Sequence, residues 1–228
     1  MSNLQTREAI DIDELQSEAE VIVPNLSCSY RMIKRACDMV GSFIVLAVLS
    51  PLLLLISILI KIENPRANVI YKQLRTGKDG VPFYCYKFRT MVPNADEVKE
   101  TLMELNEMDG PVFKIRNDPR LTRLGALLRK FSIDELPQLK STFTGEMSLV
   151  GPRPLPVKEA EACSARQKLR QSVKPGLVCY WQVSGRNELS FGQWMELDIQ
   201  YIKDMSLWTD FKILLKTIPA VFSKKGAY

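Results

Sequence analysis

A long apolar stretch without charge dominates the pattern of hydrophobic and polar positions along the chain. It runs from Met39 to Ile60, 22 residues with no acidic or basic side chain. As one straight helix at about 1.5 Å per residue it would be roughly 33 Å long, enough to cross the hydrocarbon core of a bilayer. The pattern predicts a membrane helix. A buried helix of a soluble core and a cleavable signal peptide both fit less well.

Two features of this stretch favour a re-entrant hairpin over a spanning helix. Pro51, next to Ser50, has no N–H for the carbonyl of Ala47, so the helix must kink or break near its middle. Basic residues lie at both ends, and the positive-inside rule pulls both ends to the same side of the membrane. We expect a helix-break-helix hairpin in one leaflet, with the Ser50 hydroxyl available to the freed backbone. The flanking cations are Arg31, Lys34, Arg35, Lys61, Arg66, Lys72, Arg75 and Lys78.

The rest of the chain is predicted to form a mostly helical domain with a small β-hairpin. β-Branched and aromatic residues over 69–75 and 81–91 flank a turn-forming segment, which indicates the hairpin. The last helix fits either core packing or a place at the bilayer interface. The fold class is therefore α+β. The expected helices are 94–109, 121–131, 157–171, 191–205 and 211–222, and a strand is expected over 177–183.

Charge restricts the ligands that the chain is suited to bind. The net charge is +5, but residues 1–24 carry six acidic side chains against one arginine, so the remainder carries +10. That balance suits an anionic membrane surface or a phosphorylated ligand. No nucleic-acid-binding motif is present, which argues against nucleic acid as a partner. The acidic segment has no apolar periodicity and is expected to be a flexible tail.

The absence of histidine restricts the chemistry. It removes the commonest general base, the commonest zinc ligand and every nucleophile that histidine activates. The five cysteines are scattered and suggest neither a disulfide framework nor a zinc site. If the protein is an enzyme, carboxylates must carry its proton or covalent chemistry. A metal ion, if it needs one, should be a hard cation such as Mg²⁺ held by oxygen.

Asp134 and Glu135 are the candidate carboxylates. Ser132 followed by Glu135 is a capping-box pattern, and Pro137 is tolerated only near a helix start, so both carboxylates are expected in a first helical turn. They either complement the helix dipole or form a reaction site. In the second interpretation free N–H groups help to bind phosphate, one carboxylate attacks phosphorus and the other holds a cation.

Several cations are candidates for an anion site. Arg153 lies between two prolines, which suits a guanidinium held in place to grip phosphate or carboxylate. Arg120 lies in a similar turn-like segment, and Lys87 and Arg89 end the second arm of the predicted hairpin. Arg186 lies in a glycine-containing loop that suits either diphosphate binding or an ordinary turn. Together with the two carboxylates these residues predict an anion site.

Eight segments, in order, resemble one family. From Tyr30 to Tyr228 the chain resembles the bacterial sugar transferases, the monotopic polyprenol-phosphate phosphoglycosyl transferases. Each motif is weak alone, but together they span nearly the whole chain. The segments are KRACD at 34–38, SP at 50–51, KFRTM at 87–91, DPRLTRLG at 118–125, SIDELPQL at 132–139, MSLVGPRP at 147–154, KPG at 174–176 and WQVSGRN at 181–187.

The resemblance implies a two-step transfer. Asp134 would attack the β-phosphate of a UDP-sugar, expel UMP and pass the phosphosugar to undecaprenyl phosphate. Glu135 would bind Mg²⁺, and Ser50 and Pro51 would form the break of a re-entrant helix. Arg153 and Arg120 would stabilise phosphate charge in the transition state.

The same resemblance assigns the remaining candidate ligands. Lys87, Arg89 and Arg186 would bind the nucleotide sugar. The residues that would hold the polyprenol phosphate are Lys34, Arg35 and Asp38.

The expected organisation follows from these assignments. It is an acidic tail (1–29), a re-entrant membrane hairpin (30–66) and a cytoplasmic catalytic domain (67–228), facing the cytoplasm at the inner membrane and in contact with its lipids. The four-helix N-terminal extension of larger members is not matched, so a minimal form is expected. Residues 177–180 depart from the family pattern, which leaves the uridine contacts there open.

The sequence leaves several alternatives open. Hexose and N-acetylhexosamine donors share these motifs, and glucose or galactose is expected for an exopolysaccharide- or capsule-type enzyme. Exposed apolar surface near the membrane would allow a homodimer. The rival functions are a non-catalytic, membrane-anchored scaffold of a polysaccharide assembly complex, and a spanning anchor carrying a phosphatase-like domain.

Overall fold

The charge-free stretch lies inside one long helix, α1 (Cys28–Glu63), of 36 residues. The computed structural model describes residues 26–223, so most of the predicted acidic tail and residues 224–228 lie outside the described residues. Helix α1 begins with an N-cap, because the Ser27 hydroxyl accepts the Tyr30 N–H at 3.1 Å. Its most apolar 18-residue window has a mean hydropathy of 3.0 and is 11% buried. Within residues 26–223 it is the one helix long and apolar enough to cross a membrane.

Pro51 lies inside α1 without ending the helix. The Ser50 hydroxyl donates to the carbonyl of Ala47 at 2.8 Å, the carbonyl that Pro51 leaves without its N–H partner. The predicted compensation by Ser50 is therefore present. Helical backbone continues through the position of the predicted break, so the re-entrant shape stays a prediction.

The predicted β-hairpin is confirmed. Strands β1 (Ile70–Thr76) and β2 (Pro82–Phe88) pair antiparallel, with Ile70 opposite Phe88 and Thr76 opposite Pro82. The turn between them is a short 3₁₀ segment, Lys78–Gly80. Asp79 and Gly80 both adopt positive φ there, which aspartate and glycine tolerate better than most residues. The hairpin delivers Lys87 at the end of β2.

Short helices make up most of the remaining domain. A 3₁₀ helix, Ile133–Gln138, carries the two candidate carboxylates. The other helices are α2 (Ala95–Thr101), α3 (Arg123–Lys130), α4 (Leu139–Thr144), α5 (Val157–Glu161), α6 (Ala165–Lys168), α7 (Tyr180–Ser184), α8 (Phe191–Lys203) and α9 (Leu207–Ser223).

The strand expected over 177–183 is wrong for most of its length. Strand β4 covers Gly176–Val178 and pairs in parallel with β3 (Ser148–Val150). Helix α7 follows at once, because the Gln182 side chain accepts the Cys179 N–H at 3.0 Å and starts it. The single helix expected over 157–171 is likewise divided into α5, α6 and a 3₁₀ turn.

Both arms of α1 pack on the same domain. Ile56 and Ile60 in the second arm are buried against Phe88 of β2 and Leu128 of α3. In the first arm the Phe43 ring lies 6.2 Å from that of Phe143 in α4. The turns between the two arms are largely exposed and apolar, so α1 presents to its surroundings a surface that water does not favour.

Candidate active site

A cavity of about 310 Å³ opens where the end of β2, the 3₁₀ helix, the loop after β3 and helix α7 meet. Its lining is rich in charge, with nine basic side chains against five acidic ones. The excess of positive charge suits a ligand carrying several negative charges. The basic residues are Arg75, Lys87, Arg89, Lys99, Lys114, Arg120, Arg129, Arg153 and Arg186.

The backbone before the carboxylates adopts an unusual conformation. Ser132 has φ 57°, in the left-handed region, and its side chain makes no capping bond. The predicted capping box between Ser132 and Glu135 is therefore wrong. The physical reason is that the Glu135 carboxylate is bound by cations of the cavity instead of reaching back to the Ser132 N–H. The predicted place of both carboxylates in a first helical turn is confirmed.

The Glu135 carboxylate accepts hydrogen bonds from three neighbouring side chains. Lys87 Nζ donates to its Oε1 at 2.6 Å, and the Arg153 guanidinium donates to both carboxylate oxygens, at 2.9 Å to Oε2. Gln182 adds a longer bond to Oε2 at 3.4 Å. Burial raises the pKa of the Glu135 carboxyl, but the charges and hydrogen bonds of Arg153 and Lys87 outweigh it and hold that pKa well below its ordinary value. Glu135 is therefore ionised and fixed in place.

Asp134 lies in the opposite situation. Its side chain is buried, it lines the cavity, and its carboxylate has no hydrogen-bond donor among residues 26–223. Burial raises the pKa of the Asp134 carboxyl; the Lys87 charge lowers it and the Glu135 charge raises it further. A carboxylate with a raised pKa is more basic, and one without donors has free lone pairs. Asp134 is consequently the carboxylate of the pair that is available for covalent chemistry.

Glu135 is poorly suited to hold Mg²⁺ in this arrangement. A carboxylate has about four lone-pair sites, and four donors from Lys87, Arg153 and Gln182 already point at the oxygens of Glu135. Within residues 26–223 no group of three or more acidic or cysteine side chains could hold a metal ion. A cation on Glu135 would have to displace Lys87 or Arg153. The predicted ligation of Mg²⁺ by Glu135 stays a prediction.

All five cations that the sequence predicted for an anion site line the cavity. Lys87 and Arg153 contact Glu135 directly. Arg186 is buried, has φ 55° and donates from Nε to the carbonyl of Gln182 at 3.3 Å. Arg89 lines the cavity and donates to the carbonyl of Asn68 at 2.8 Å. Their predicted contacts with phosphate remain predictions.

Arg120 lines the cavity, but its guanidinium is already paired. It donates to both carboxylate oxygens of Asp118, at 2.9 and 2.6 Å, and to the carbonyl of Ala95 at 3.3 Å. The ring of Phe113 lies 5.1 Å from its guanidinium carbon. These contacts give Arg120 a role in holding the cavity wall together, beside its predicted role toward phosphate.

Lys34, Arg35 and Asp38 are not among the described residues that line the cavity. Lys34 Nζ pairs with Asp210 at 2.5 Å, and Arg35 donates to two carbonyls of α4. The Asp38 carboxylate accepts the Leu149 N–H at 2.9 Å. All three polar groups are thus used to tie the first arm of α1 to the domain. These contacts support an anchoring role, and the predicted direct hold on a polyprenol phosphate stays a prediction.

Four cavity cations were missed as candidates, namely Arg75, Lys99, Lys114 and Arg129. Arg129 in α3 donates from Nε to the Thr90 hydroxyl at 3.1 Å and lies close enough to lower the pKa of the Asp134 carboxyl. Lys114 lies over the ring of Trp181. The position of Arg129 five residues before Asp134, on the helix leading into the 3₁₀ segment, was the signal available in the sequence for it. Lys114 stands in an irregular segment whose path no periodicity reveals.

The amino-acid sequence is similar to those of known sugar transferases. The sequence model of a family described as bacterial sugar transferase matches residues 29–224. An uncharacterised sugar transferase of Haemophilus influenzae is 41% identical over 207 residues, which cover 88% of this chain and 43% of that protein. The chain therefore spans less than half the length of that relative.

Two other relatives differ in how much of their length the chain covers. The exopolysaccharide production protein ExoY of Rhizobium meliloti is 42% identical over 201 residues, covering 86% of this chain and 88% of ExoY. The undecaprenyl-phosphate galactose phosphotransferase of Salmonella typhimurium is 41% identical over 207 residues, covering 88% of this chain and 42% of that protein. The family match over residues 29–224 includes the cavity and, apart from Cys28 at the start of α1, all the described helices.

Proposed function

Because the chain belongs to the bacterial sugar transferase family, we propose that it transfers a sugar 1-phosphate from a UDP-sugar to undecaprenyl phosphate. UMP is the second product. The reaction would be an early membrane step of exopolysaccharide or capsule synthesis, as the names of its relatives suggest. The donor sugar is a hexose, galactose or glucose, by analogy with the galactose phosphotransferase.

One observation carries the proposal for the chemistry. Asp134 is buried in a cavity with excess positive charge, and its carboxylate has no donor among the described residues, whereas neighbouring Glu135 is held by two cations. A structural aspartate at a helix start would be expected to accept backbone or side-chain N–H bonds. An unpaired, basic carboxylate beside Lys87 and Arg153 instead suits attack on a phosphorus whose oxygens those cations attract.

The proposed reaction has two displacements at one phosphorus. An Asp134 carboxylate oxygen attacks the β-phosphorus, the bond from that phosphorus to the bridging oxygen breaks, and UMP leaves. The enzyme then carries the phosphosugar as an acyl phosphate. A phosphate oxygen of undecaprenyl phosphate attacks the same phosphorus, the Asp134 carboxylate leaves, and a polyprenyl diphosphate sugar is released. Arg153 and Lys87, held by Glu135, would stabilise the negative charge at each displacement.

The packing of α1 supports placing both of its ends on one side of the membrane. A straight helix of this length would extend roughly 54 Å. At its start Lys34 pairs with Asp210 at 2.5 Å, and at its end Glu63 accepts the Leu124 N–H at 3.1 Å. Two ends tied to the same charged domain suit a re-entrant path in one leaflet better than a crossing. We therefore propose a monotopic protein at the inner membrane, with its domain in the cytoplasm.

Helix α9 supports the same placement. One side of it packs into the domain through buried Ile213. Its other side exposes large apolar residues, among them Trp208 at 65%, stacked on Phe211, and Ile218 at 59%. An amphipathic helix with tryptophan on its exposed side suits the bilayer interface. The cavity would then open near the membrane surface, where a soluble nucleotide sugar and a lipid phosphate can both reach it.

Release of UMP from a panel of UDP-sugars tests the proposal. Membranes or purified protein receive each UDP-sugar with and without undecaprenyl phosphate, in the presence and absence of Mg²⁺. We expect UMP with a UDP-hexose and lipid acceptor, and a loss on the order of 10³-fold or more for Asp134→Asn. Asp79→Asn, in the exposed hairpin turn, is the control and should retain full activity.

Each alternative predicts a different outcome of the same assay. A scaffold would release no UMP with any donor. A phosphatase-like domain would hydrolyse the nucleotide sugar equally well without lipid. Full turnover by Asp134→Asn would exclude the covalent route through that residue.

A further inference from the structure

Lys114 lies in a segment whose backbone is held at several points. Its N–H donates to the side-chain oxygen of Asn106 at 2.9 Å, and its carbonyl accepts the Glu107 N–H at 2.9 Å. The Asn106 amide also donates to the carbonyls of Met108 and Val112, each at 3.0 Å. One asparagine therefore fixes the irregular loop that carries Lys114 into the cavity.

The groups in direct contact with the Lys114 ammonium are two aromatic rings and an amide oxygen. Nζ lies 4.3 Å from the centre of the Trp181 ring and 5.6 Å from that of Trp194, and the two rings stack with centres 4.8 Å apart. It also donates to the side-chain oxygen of Asn187. No carboxylate of residues 26–223 forms an ion pair with it. Lys114 is thus a cavity lysine without an ion-pair partner among the described residues.

The same tryptophan connects Lys114 to the proposed reaction centre. The guanidinium of Arg153, which holds Glu135, lies 5.7 Å from the centre of the Trp181 ring. Lys114 and Arg153 therefore both approach the ring of Trp181, and all three residues line the cavity. A ligand bridging them would have to carry negative charge on more than one group.

Burial and charge make this position unfavourable for a lysine without a ligand. Burial lowers the pKa of the Lys114 ammonium to about 7; the charges of Arg153, Lys87 and Arg75 lower it, and that of Glu135 raises it. A lysine that only packs against an aromatic ring can do so at the exposed surface, without burial beside other cations. Lys140, over the ring of Tyr86 at 4.8 Å, makes that simpler contact in an exposed position.

From this geometry we propose that Lys114 binds the diphosphate of the nucleotide sugar, at the side of the cavity formed by Trp181 and Trp194. The inference rests on the proposed function, because it takes the donor to be a nucleoside diphosphate sugar. Binding would supply Lys114 with the ion-pair partner that no carboxylate of the described part of the chain provides. Trp181 and Asn187 would act as positioning residues that hold the ammonium in the cavity.

Calorimetric binding of UDP and of uridine to the full-length protein tests the inference. Lys114→Met removes the charge and keeps much of the length, Lys114→Gln keeps a donor for Asn187, and Lys114→Arg keeps the charge. A charge-assisted hydrogen bond is worth about 1.5–3 kcal/mol, so both neutral variants should bind UDP roughly 10- to 150-fold more weakly. Uridine affinity should not change, and Lys114→Arg should restore most of the UDP affinity. Lys140→Met is the matched control and should bind UDP like the unmodified protein.

The outcomes separate this inference from the proposed function. If the unmodified protein binds UDP but either neutral variant, shown to be folded by circular dichroism, binds it equally tightly, Lys114 is not a diphosphate ligand while the transferase function stands. An equal loss of uridine binding in both neutral variants would also overturn the assignment, because it would indicate a damaged nucleoside site. If the unmodified protein binds no UDP at all, the proposed function fails and the inference fails with it.

Discussion

Asp134 and Glu135 are adjacent carboxylates whose environments push their pKa values apart. Glu135 is neutralised by Lys87 and Arg153, and its pKa is held well below the ordinary value. Asp134 is buried without a hydrogen-bond donor among residues 26–223, and its pKa is raised above the ordinary value. Such divergence between two titratable neighbours commonly separates the roles of catalytic groups. Here it separates a fixed anchor for two cations from an available nucleophile.

This separation predicts the acid side of the pH–rate profile. Asp134 must be ionised to attack, and its pKa is raised, so the rate should increase with pH through a value above that of an ordinary aspartate. The Lys87 charge lowers the pKa of Asp134, so Lys87→Met should move this limb to higher pH as well as reduce the rate. The kcat of both proteins measured from pH 4 to 9 checks this. A limb that stays in place or moves to lower pH would contradict it.

Arg153 should be sensitive to replacement by lysine. Its guanidinium contacts both oxygens of Glu135, a fork that an ammonium cannot reproduce. We expect Arg153→Lys to reduce kcat by about a hundredfold or more, since a fixed donor at the reacting phosphate is lost. Arg166→Lys is the control, because Arg166 makes a comparable pair with Glu196 at the exposed surface. Equal activity of the two variants would remove Arg153 from the mechanism.

The sequence identified the carboxylates and five cavity cations but could not determine which cation pairs with which anion. Arg120 is a predicted phosphate ligand, and the structure adds that Asp118, two residues away, binds its guanidinium. Lys34 and Arg35 are predicted lipid-phosphate ligands, and the structure adds that they tie α1 to residues more than a hundred positions away in the chain. Local pattern contains no information on the distant partners of Lys34 and Arg35. For the same reason it gave no sign of Lys114 beside Trp181.

At the scale of elements, close backbone contacts hold the cavity walls together. Gly125 in α3 packs directly on Thr90, and a Cβ there would lie 2.0 Å from the Thr90 carbonyl oxygen. Helix α3 carries Arg129 and leads into the 3₁₀ helix with the carboxylates. The contact therefore sets the distance between the β-hairpin and the candidate nucleophile.

Two glycine-to-alanine changes in helices test this contact. Gly125→Ala should destabilise the protein by about 1–3 kcal/mol, because α3 must move away from Thr90. Gly192→Ala in α8 is the matched control: its Cβ would meet only the Ser190 hydroxyl at 3.9 Å, and alanine should stabilise the helix by up to about 1 kcal/mol. Urea unfolding in detergent measures both. A Gly125→Ala protein as stable as the control would show that α3 does not pack in this way.

Element prediction succeeded where local signals agree and failed where tertiary pairing decides. The β-hairpin has turn residues between two β-rich arms, and both strands form as expected. Residues 177–183 have the same β-branched and aromatic character, but β3 offers only three residues for pairing, and the Gln182 cap then starts α7. The sequence does not reveal that this parallel ladder ends at the pair of Val150 and Val178.

At the scale of the whole molecule, α1 is the candidate membrane anchor of the domain. Its middle exposes Val48 at 70% and Leu54 at 63%, while its two ends are tied to the domain by polar contacts. The charges at both ends predict that they lie on one side of the membrane, but they gave no indication of these polar contacts. The sequence did not predict that helical backbone would continue through Pro51. It continues because the Ser50 hydroxyl satisfies the carbonyl that the proline leaves without an N–H partner.

Labelling of the two ends of α1 tests the proposed topology. In a variant lacking the other cysteines, the exposed native Cys28 and an introduced Asn64→Cys are treated with a membrane-impermeant thiol reagent in intact spheroplasts. Both should react only after permeabilisation, because the proposed topology places both ends in the cytoplasm. A spanning helix would leave one of the two reactive from outside.

The most direct test of the central claim is detection of the phosphosugar on Asp134. Purified protein is mixed with UDP-galactose or UDP-glucose without lipid acceptor, quenched in acid and measured by intact and peptide mass spectrometry, while released UMP is quantified. We predict an added hexose phosphate on the peptide containing Asp134, UMP in matching amount, loss of the adduct on addition of undecaprenyl phosphate, and no adduct with Asp134→Asn. UMP release that requires the lipid and leaves no adduct at any time would contradict the account.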